Sequence, residues 1–246
     1  MNNVIFRPGR LPSLLALVLI PAFCGLGVWQ LQRADLKRGL MAQQQARERL
    51  PPRPLPGEPF DLTELRYVPV TASGVYDAEH QFLLDNQVLD GQPGFRVLTP
   101  LRLENGEAVL VNRGWIPQGR DRSHRPPLPA PAGSMTVTGN IDRFPAVGYR
   151  LEGAEIPAPG WPALVQLAES EPLGERLGYR LRPYQVLLAA GEPGGFQLTR
   201  RQLDLHPETS QGYALQWFSF AVATLILYLW YGFKGKAAGK STDTAP

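Results

Sequence analysis

Three groups of residues carry the chemistry this chain can offer. Trp29 and Arg33 stand four apart, so on a helix they share a face. Tyr213, Trp217 and Phe220 follow an i, i+4, i+7 row on a second candidate helix. Asn112-Arg113-Gly114-Trp115 ends a strand-like run with a guanidinium, whose planar fork pairs carboxylates well. The two helical rows can line a flat apolar slot with a cationic rim, which suits a planar apolar ligand bearing carboxylates. The same rows also suit interface anchoring and helix packing. Arg113 and Trp115 likewise suit a structural role at the end of a β domain. Imidazoles are scarce, the three being His80, His124 and His206.

Two uncharged apolar stretches, Leu11–Leu31 and Gly212–Phe233, must position the helical rows. A bilayer core needs about 20 helical residues to cross it, and each stretch is long enough. The sequence therefore predicts a membrane hairpin of two transmembrane α-helices flanking a mainly antiparallel β domain, a barrel or a sandwich. Its parts are a tail at 1–10, a span at 11–31, an outer domain at 32–211, a span at 212–233 and a tail at 234–246. Arg7 and Arg10 at one end, and Lys234, Lys236 and Lys240 at the other, place both tails in the cytoplasm. Arg33, Lys37, Arg38, Arg47 and Arg49 lie on the outer side. Long loops translocate largely regardless of charge, so these weigh less. Pro21-Ala22-Phe23-Cys24-Gly25 is a poor signal-cleavage site, so an uncleaved anchor is expected. Cys24 is the only cysteine, which leaves the outer domain without a disulfide.

Residues 32–50 lack proline and are rich in Gln, Ala, Arg and Leu, so the first helix is expected to continue beyond the span. Pro51-Pro52-Arg53-Pro54 then stops it. Strands are expected at Arg66–Ser73, Gln81–Asn86, Phe95–Leu103, Ala108–Ile116, Met135–Ile141, Leu181–Ala189 and Phe196–Arg201. Glu104-Asn105-Gly106-Glu107 reads as a hairpin turn, and Leu164–Glu175 reads as a short helix. Thr71–Asp77 and Thr136–Asp142 echo one another as strand, glycine, strand.

A net charge of +3 is too mild to imply nucleic acid, and no basic run is interleaved with aromatics. The chain holds no GxSxG elbow, no HExxH and no phosphate-binding glycine loop that opens a helix. An enzyme is therefore not expected.

Four segments taken together resemble a known family. They are Gly27–Arg33, Gly94–Leu101 with Val109–Pro117, and Tyr213–Phe218, in this order and on this topology. The chain resembles the surfeit locus protein 1 family over nearly its whole length. The resemblance implies a bacterial plasma-membrane protein with two passes and a large periplasmic loop. It implies an assembly factor for haem-copper terminal oxidases, aiding haem a insertion or stabilising nascent subunit I. Implied partners are cytochrome c oxidase subunit I, other assembly factors or haem a synthase, and the lipid bilayer. The implied cofactor is haem a, held transiently, with Trp29, Arg33, Arg113, Tyr213 and Trp217 as candidate contacts. In the family a histidine three residues before Tyr213 is the suspected iron ligand. Here that position is Ser210, and the nearby imidazole is His206. The alternative, from the spans and β domain alone, is an anchored envelope sensor or small-ligand binding module without haem.

Overall fold

The computed structural model describes residues 6, 8–119, 126–145, 153–197 and 205–234. The chain divides into two compact units, residues 1–43 with 202–246, and residues 44–201.

The first unit is an antiparallel pair of helices. Helix α1 (Arg10–Glu48) has 39 residues and runs on past the apolar stretch as expected. At about 1.5 Å per residue it is far longer than a bilayer core is thick. The last helix (Pro207–Lys234) begins more than a turn before the apolar stretch at Gly212. Pro207 suits the first helical position, where its missing N–H costs nothing, and Glu208 suits the positive end of the helix. Both helices are long and apolar enough to cross a membrane. Leu14, Leu17 and Val18 on one, and Leu225, Ile226 and Leu227 on the other, point outward, as lipid-facing side chains do. Ser219 and Thr224 bond back to the carbonyls of Leu215 and Phe220, so their hydroxyls need no other partner.

Small residues set the seam between these helices. Ala16 and Ala34 on α1, and Ala214 and Ala221 on the partner, are buried. Gly27 faces Phe218 so closely that a Cβ there would come within 2.7 Å of the ring. In lipid, association rests on such close packing rather than on hydrophobicity. The seam is pinned toward one end by a hydrogen bond of 3.1 Å between the Ser13 and Tyr228 hydroxyls.

The second unit is a β-barrel. Its elements are β1 (Arg53–Pro54), α2 (Leu62–Leu65), β2 (Pro69–Tyr76), β3 (Phe82–Leu89), β4 (Gln92–Leu103), β5 (Ala108–Pro117), β6 (Ser134–Asp142), β7 (Ala163–Val165), α3 (Ser170–Leu177) and β8 (Leu181–Leu188). The remaining helix of the first unit is α4. The sheet order is β1-β2-β6-β8-β5-β4-β3-β7, and a further β2–β4 pairing closes β2, β6, β8, β5 and β4 into a ring. Strand β4 makes this possible by its length. Its first half pairs with β3, while Leu101–Leu103 pairs with Gly74–Tyr76 of β2. Most pairings are antiparallel, but β1 with β2, β3 with β7, and, inside the ring, β5 with β8 run parallel. The ring encloses Val70, Val109, Val111, Ile141, Tyr184 and Val186.

Most expected strands are present within a few residues, and the Asn105-Gly106 hairpin forms with Gly106 at φ 84°. The echoing segments are the paired neighbours β2 and β6. Two expectations change. Leu164–Glu175 is not one helix, because Ala163–Val165 pairs with the open edge of β3 and the helix begins only at Ser170. There Leu173 and Leu177, four apart, reach the core. Of the expected strand Phe196–Arg201, Gln197 bridges Trp115, and residues 198–201 lie outside the described residues. Arg53–Pro54 adds an edge strand at the proline run that ends α1.

Candidate functional site

In the helix-pair unit, the candidate residues gather at one end. Trp29 is half exposed and carries the Arg33 guanidinium over its ring, 5.4 Å from the centroid. Long helical side chains lean toward the N-terminus, which is why a residue four positions on covers the indole. One turn further along, Lys37 reaches across to α4. Its Nζ donates to the Ser210 hydroxyl at 3.0 Å and to the His206 carbonyl at 3.3 Å. Ser210 is buried, at 3% exposure, so its hydroxyl meets the ammonium inside the seam.

His206 sits immediately before α4 with φ of 43°, a left-handed conformation that few non-glycine residues adopt. Its carbonyl also accepts the Thr209 N–H, which stabilises the helix start. Its exposed ring places Nδ1 2.8 Å from the Glu208 carboxylate. The Glu208 carboxyl is held below its usual range by its own backbone amide, then by the His206 ring, with Lys37 adding a smaller pull.

The aromatic residues expected to line one slot take separate places. Trp217 stacks on Phe23 at 5.8 Å and 24°, and Phe220 packs against both. Tyr213 is half exposed. Between the levels of Trp29 and Lys37 the seam is closed, with Ala34 at 0% and Ala214 at 1% exposure. No ring contact joins Trp29 to Tyr213 or Trp217 among the described residues. The geometry therefore offers an outward-facing strip on α1, capped by the start of α4, instead of a slot between the helices.

Arg113 belongs to the barrel unit and is fully buried. Strand β5 is buried along nearly its whole length, so its side chains point into packed structure on both faces. The guanidinium donates to the Gly194 carbonyl at 2.8 Å, Gln81 Oε1 at 3.1 Å, Thr99 Oγ1 at 3.3 Å and the Pro129 carbonyl. Tyr76 and Phe196 lie against its faces at 5.5 and 4.9 Å. Burial lowers its pKa from the ordinary guanidinium value. Next to it, Gly114 adopts φ of 113°, and a Cβ there would meet the Gln197 carbonyl at 2.8 Å. Arg113 and Gly114 thus strap residues 194–197 onto the barrel, with Phe196 N–H on the Arg113 carbonyl and Trp115 N–H on the Gln197 carbonyl. In this arrangement the side chain is an internal anchor, and a carboxylate from outside has no route to it without moving the strap.

Two features were not singled out from the sequence. Lys37 looked like one charge among several on a solvated helix. In the barrel, Asp77 accepts from the His80 ring at 2.8 Å and from the Tyr179 hydroxyl at 2.9 Å. His80 then packs edge-on against Trp161 at 4.8 Å. Asp77 and His80 are neighbours in sequence, but Tyr179 and Trp161, like the α4 partners of Lys37, reach them only through folding. Among the described residues, no cluster of three or more His, Cys, Asp or Glu side chains could hold a metal ion.

Comparison with known proteins agrees with this architecture. The SURF1 family model matches residues 17–222. A SURF1-like protein of Monosiga brevicollis is 30% identical over 51% of this chain, and the match spans about half (53%) of that protein. Surfeit locus protein 1 of Homo sapiens is 27% identical over 88% of this chain and 75% of its own length. An uncharacterized SURF1-like protein of Mycobacterium bovis is 30% identical, covering 89% of this chain and 81% of its own. With most of α1, the whole barrel and the first part of α4 inside the matched region, the chain belongs to the SURF1 family.

Proposed function

We propose that this protein is an assembly factor for a haem-copper terminal oxidase, acting at the bacterial plasma membrane. The observation that carries the reading is family membership over residues 17–222, from within α1 through the barrel into α4. Its role is to hold haem a briefly or to steady nascent subunit I, and no catalytic step is assigned to it. The partners are oxidase subunit I and other assembly factors or haem a synthase. Both tails are cytoplasmic and the barrel is periplasmic, in keeping with Arg10 and Lys234 beyond the two spans.

The residues of the α1 strip fit the outline of a haem. Trp29 offers an indole face, Arg33 a cation above it, and His206 an imidazole near the same end. Metal-ligating histidines commonly give their other ring N–H to a carboxylate, and Glu208 stands in that relation to His206. Ser210 does not fit as a ligand, because its hydroxyl receives the Lys37 ammonium. Haem, if bound, would supply an iron that imidazole can hold, and His206 would be the residue to offer it. Tyr213 and Trp217 act from α4, the first at the surface and the second as packing for Phe23. Arg113 acts through the barrel fold.

Deletion of the gene tests the assembly role. The expected result is loss of most haem-a oxidase activity and of assembled subunit I. A fully active, normally assembled oxidase in the deletion strain sinks the proposal. For the haem mode, His206→Ala should remove the haem absorbance that co-purifies with the protein from cells making haem a. An unchanged spectrum dismisses His206 as ligand.

A further inference from the structure

At one end of the barrel, buried donors lie unused beneath a lightly held segment. Arg182 and Tyr184 stand two apart on β8, so both point to the same side of the strand. Tyr184 belongs to the core that the ring encloses. Arg182 is 8% exposed and Tyr184 is 0%. Arg182 Nη2 meets Glu107 Oε2 at 2.7 Å. Its Nη1 lies 3.8 Å from Glu58 Oε1, too far for a hydrogen bond. Among the described residues, Arg182 Nε, Arg182 Nη1 and the Tyr184 hydroxyl have no hydrogen-bond partner. Burying such groups unbonded is unfavourable, and a ligand oxygen would relieve it.

The segment from Leu55 to Phe60 joins β1 to α2 and covers these groups. Leu55 and Phe60 pack on the ring core, and the Phe60 ring stands edge-on to Tyr184 at 5.3 Å. Glu58 pairs with Arg180 at 2.7 Å, but both side chains reach solvent, so that pair holds weakly. The Leu55 N–H bonds the Thr71 carbonyl at one end, and Asp61 caps α2 at the other. Between those anchors, residues 56–60 make no backbone–backbone hydrogen bond among the described residues. Pro56 and Pro59 have no N–H to offer. Beside the segment lies a hollow of about 360 Å³, lined in part by Arg53, Pro54, Pro56, Phe60, Glu64 and Leu65. Phe60 therefore touches Tyr184 and also borders open space into which its ring can turn. Few backbone bonds and a weak ion pair are what local opening requires.

Glu58 and Phe60 already outline an occupant. One sets a carboxylate beside Arg182, and the other sets an apolar body against Tyr184. We infer that the barrel end beneath residues 55–60 is a lidded binding site for an apolar acid. The ligand's carboxylate takes the place of Glu58 at Arg182, and its apolar chain takes the place of Phe60. A guanidinium with free donors holds a carboxylate by charge-assisted hydrogen bonds, which Glu58 at 3.8 Å does not supply. The site lies wholly within the barrel unit and needs neither iron nor the helix pair.

The full-length protein in detergent is titrated with 4-(4-fluorophenyl)butyrate and with the matching amide, and binding is read by fluorine NMR. The wild type should take the acid weakly, because its own segment competes. Phe60→Ala should bind the acid about tenfold more tightly and prefer it to the amide by about tenfold. Glu58→Gln should raise acid affinity in the same direction. Because Glu58 reaches solvent, this variant keeps the test decisive if Phe60→Ala does not fold. Adding Arg182→Met to Phe60→Ala should erase the preference for the acid, and adding Tyr184→Phe should weaken acid binding by roughly threefold. In the wild type, saturating acid should speed hydrogen exchange at the Leu55 amide as the segment lifts. The proposal is overturned if Glu58→Gln and Phe60→Ala bind the acid no more tightly than the wild type. Equal binding of acid and amide in Phe60→Ala overturns it too, because the pocket then reads only apolar bulk. So does an undiminished preference for the acid once Arg182 is replaced.

Discussion

Arg113 in the barrel and Lys37 in the helix pair are both cations drawn out of water, and the chain treats them differently. Arg113 is enclosed completely, with four acceptors supplied by side chains and by the carbonyls of two loops. Lys37 is only partly covered, and Ser210 of α4 with the His206 carbonyl just before it supplies two acceptors for three donors. A fully enclosed charge must be satisfied from within, because an unpaired one is very costly. A charge left partly in solvent can keep a donor for water. The same residue class thus serves as a fold-internal fastener in one unit and as a partly solvated tie between helices in the other.

That contrast can be broken most forcefully at Arg113. Arg113→Met should destabilise the barrel by about 3–5 kcal/mol, because Gln81, Thr99 and two carbonyls lose their donor in the interior. Denaturant unfolding of the full chain, with hydrogen exchange on residues 192–197, checks this. A loss under about 1 kcal/mol would mean the network is dispensable. Next in size is the seam of the helix pair. Gly27→Leu places atoms where the Phe218 ring now lies and should cost about 1–3 kcal/mol of pairing. A lower melting temperature in detergent, with a shifted Trp217 emission as the Phe23 stack opens, is the expected signature. The smallest effect concerns pH. Burial pushes the Tyr76 and Tyr184 hydroxyls up to about 12 from an ordinary 10. Their neutral forms therefore favour the fold below pH 10, and that contribution fades as pH rises from 10 through about 12. Tyr76→Phe should soften this alkaline loss slightly, measured by tyrosinate absorbance alongside unfolding.

Much of the barrel is written locally. The β4–β5 hairpin is legible from Asn105-Gly106, whose positive φ the turn requires, and from the apolar runs on both sides. Strand β5 also announces itself as interior, because its apolar run is continuous instead of alternating. The parallel pairing of β5 with β8 leaves no such trace. Its partners, Ala108 with Leu181 and Val111 with Val186, are joined by long stretches of unlike structure. The helical rows illustrate a second limit. Spacing correctly put Arg33 over Trp29, a relation internal to one helix. It could not show which faces of two helices meet, so the aromatic slot was expected where Ala34 and Ala214 in fact close the seam. Lys37 was passed over for the same reason, since its partners are on the other helix.

The position of β8 in the ring has a consequence for synthesis. Among the described residues it is the last strand, yet it lies between β5 and β6 instead of at an edge. A ribosome must therefore deliver every other strand before the ring can close, and until then β5 and β6 each keep an open row of N–H and C=O groups. Such rows invite pairing with foreign strands, and pairings distant in sequence form slowly. The half-made chain is thus at its most adhesive shortly before α4 emerges, and anything that escorts it through that interval acts on a barrel still missing one stave.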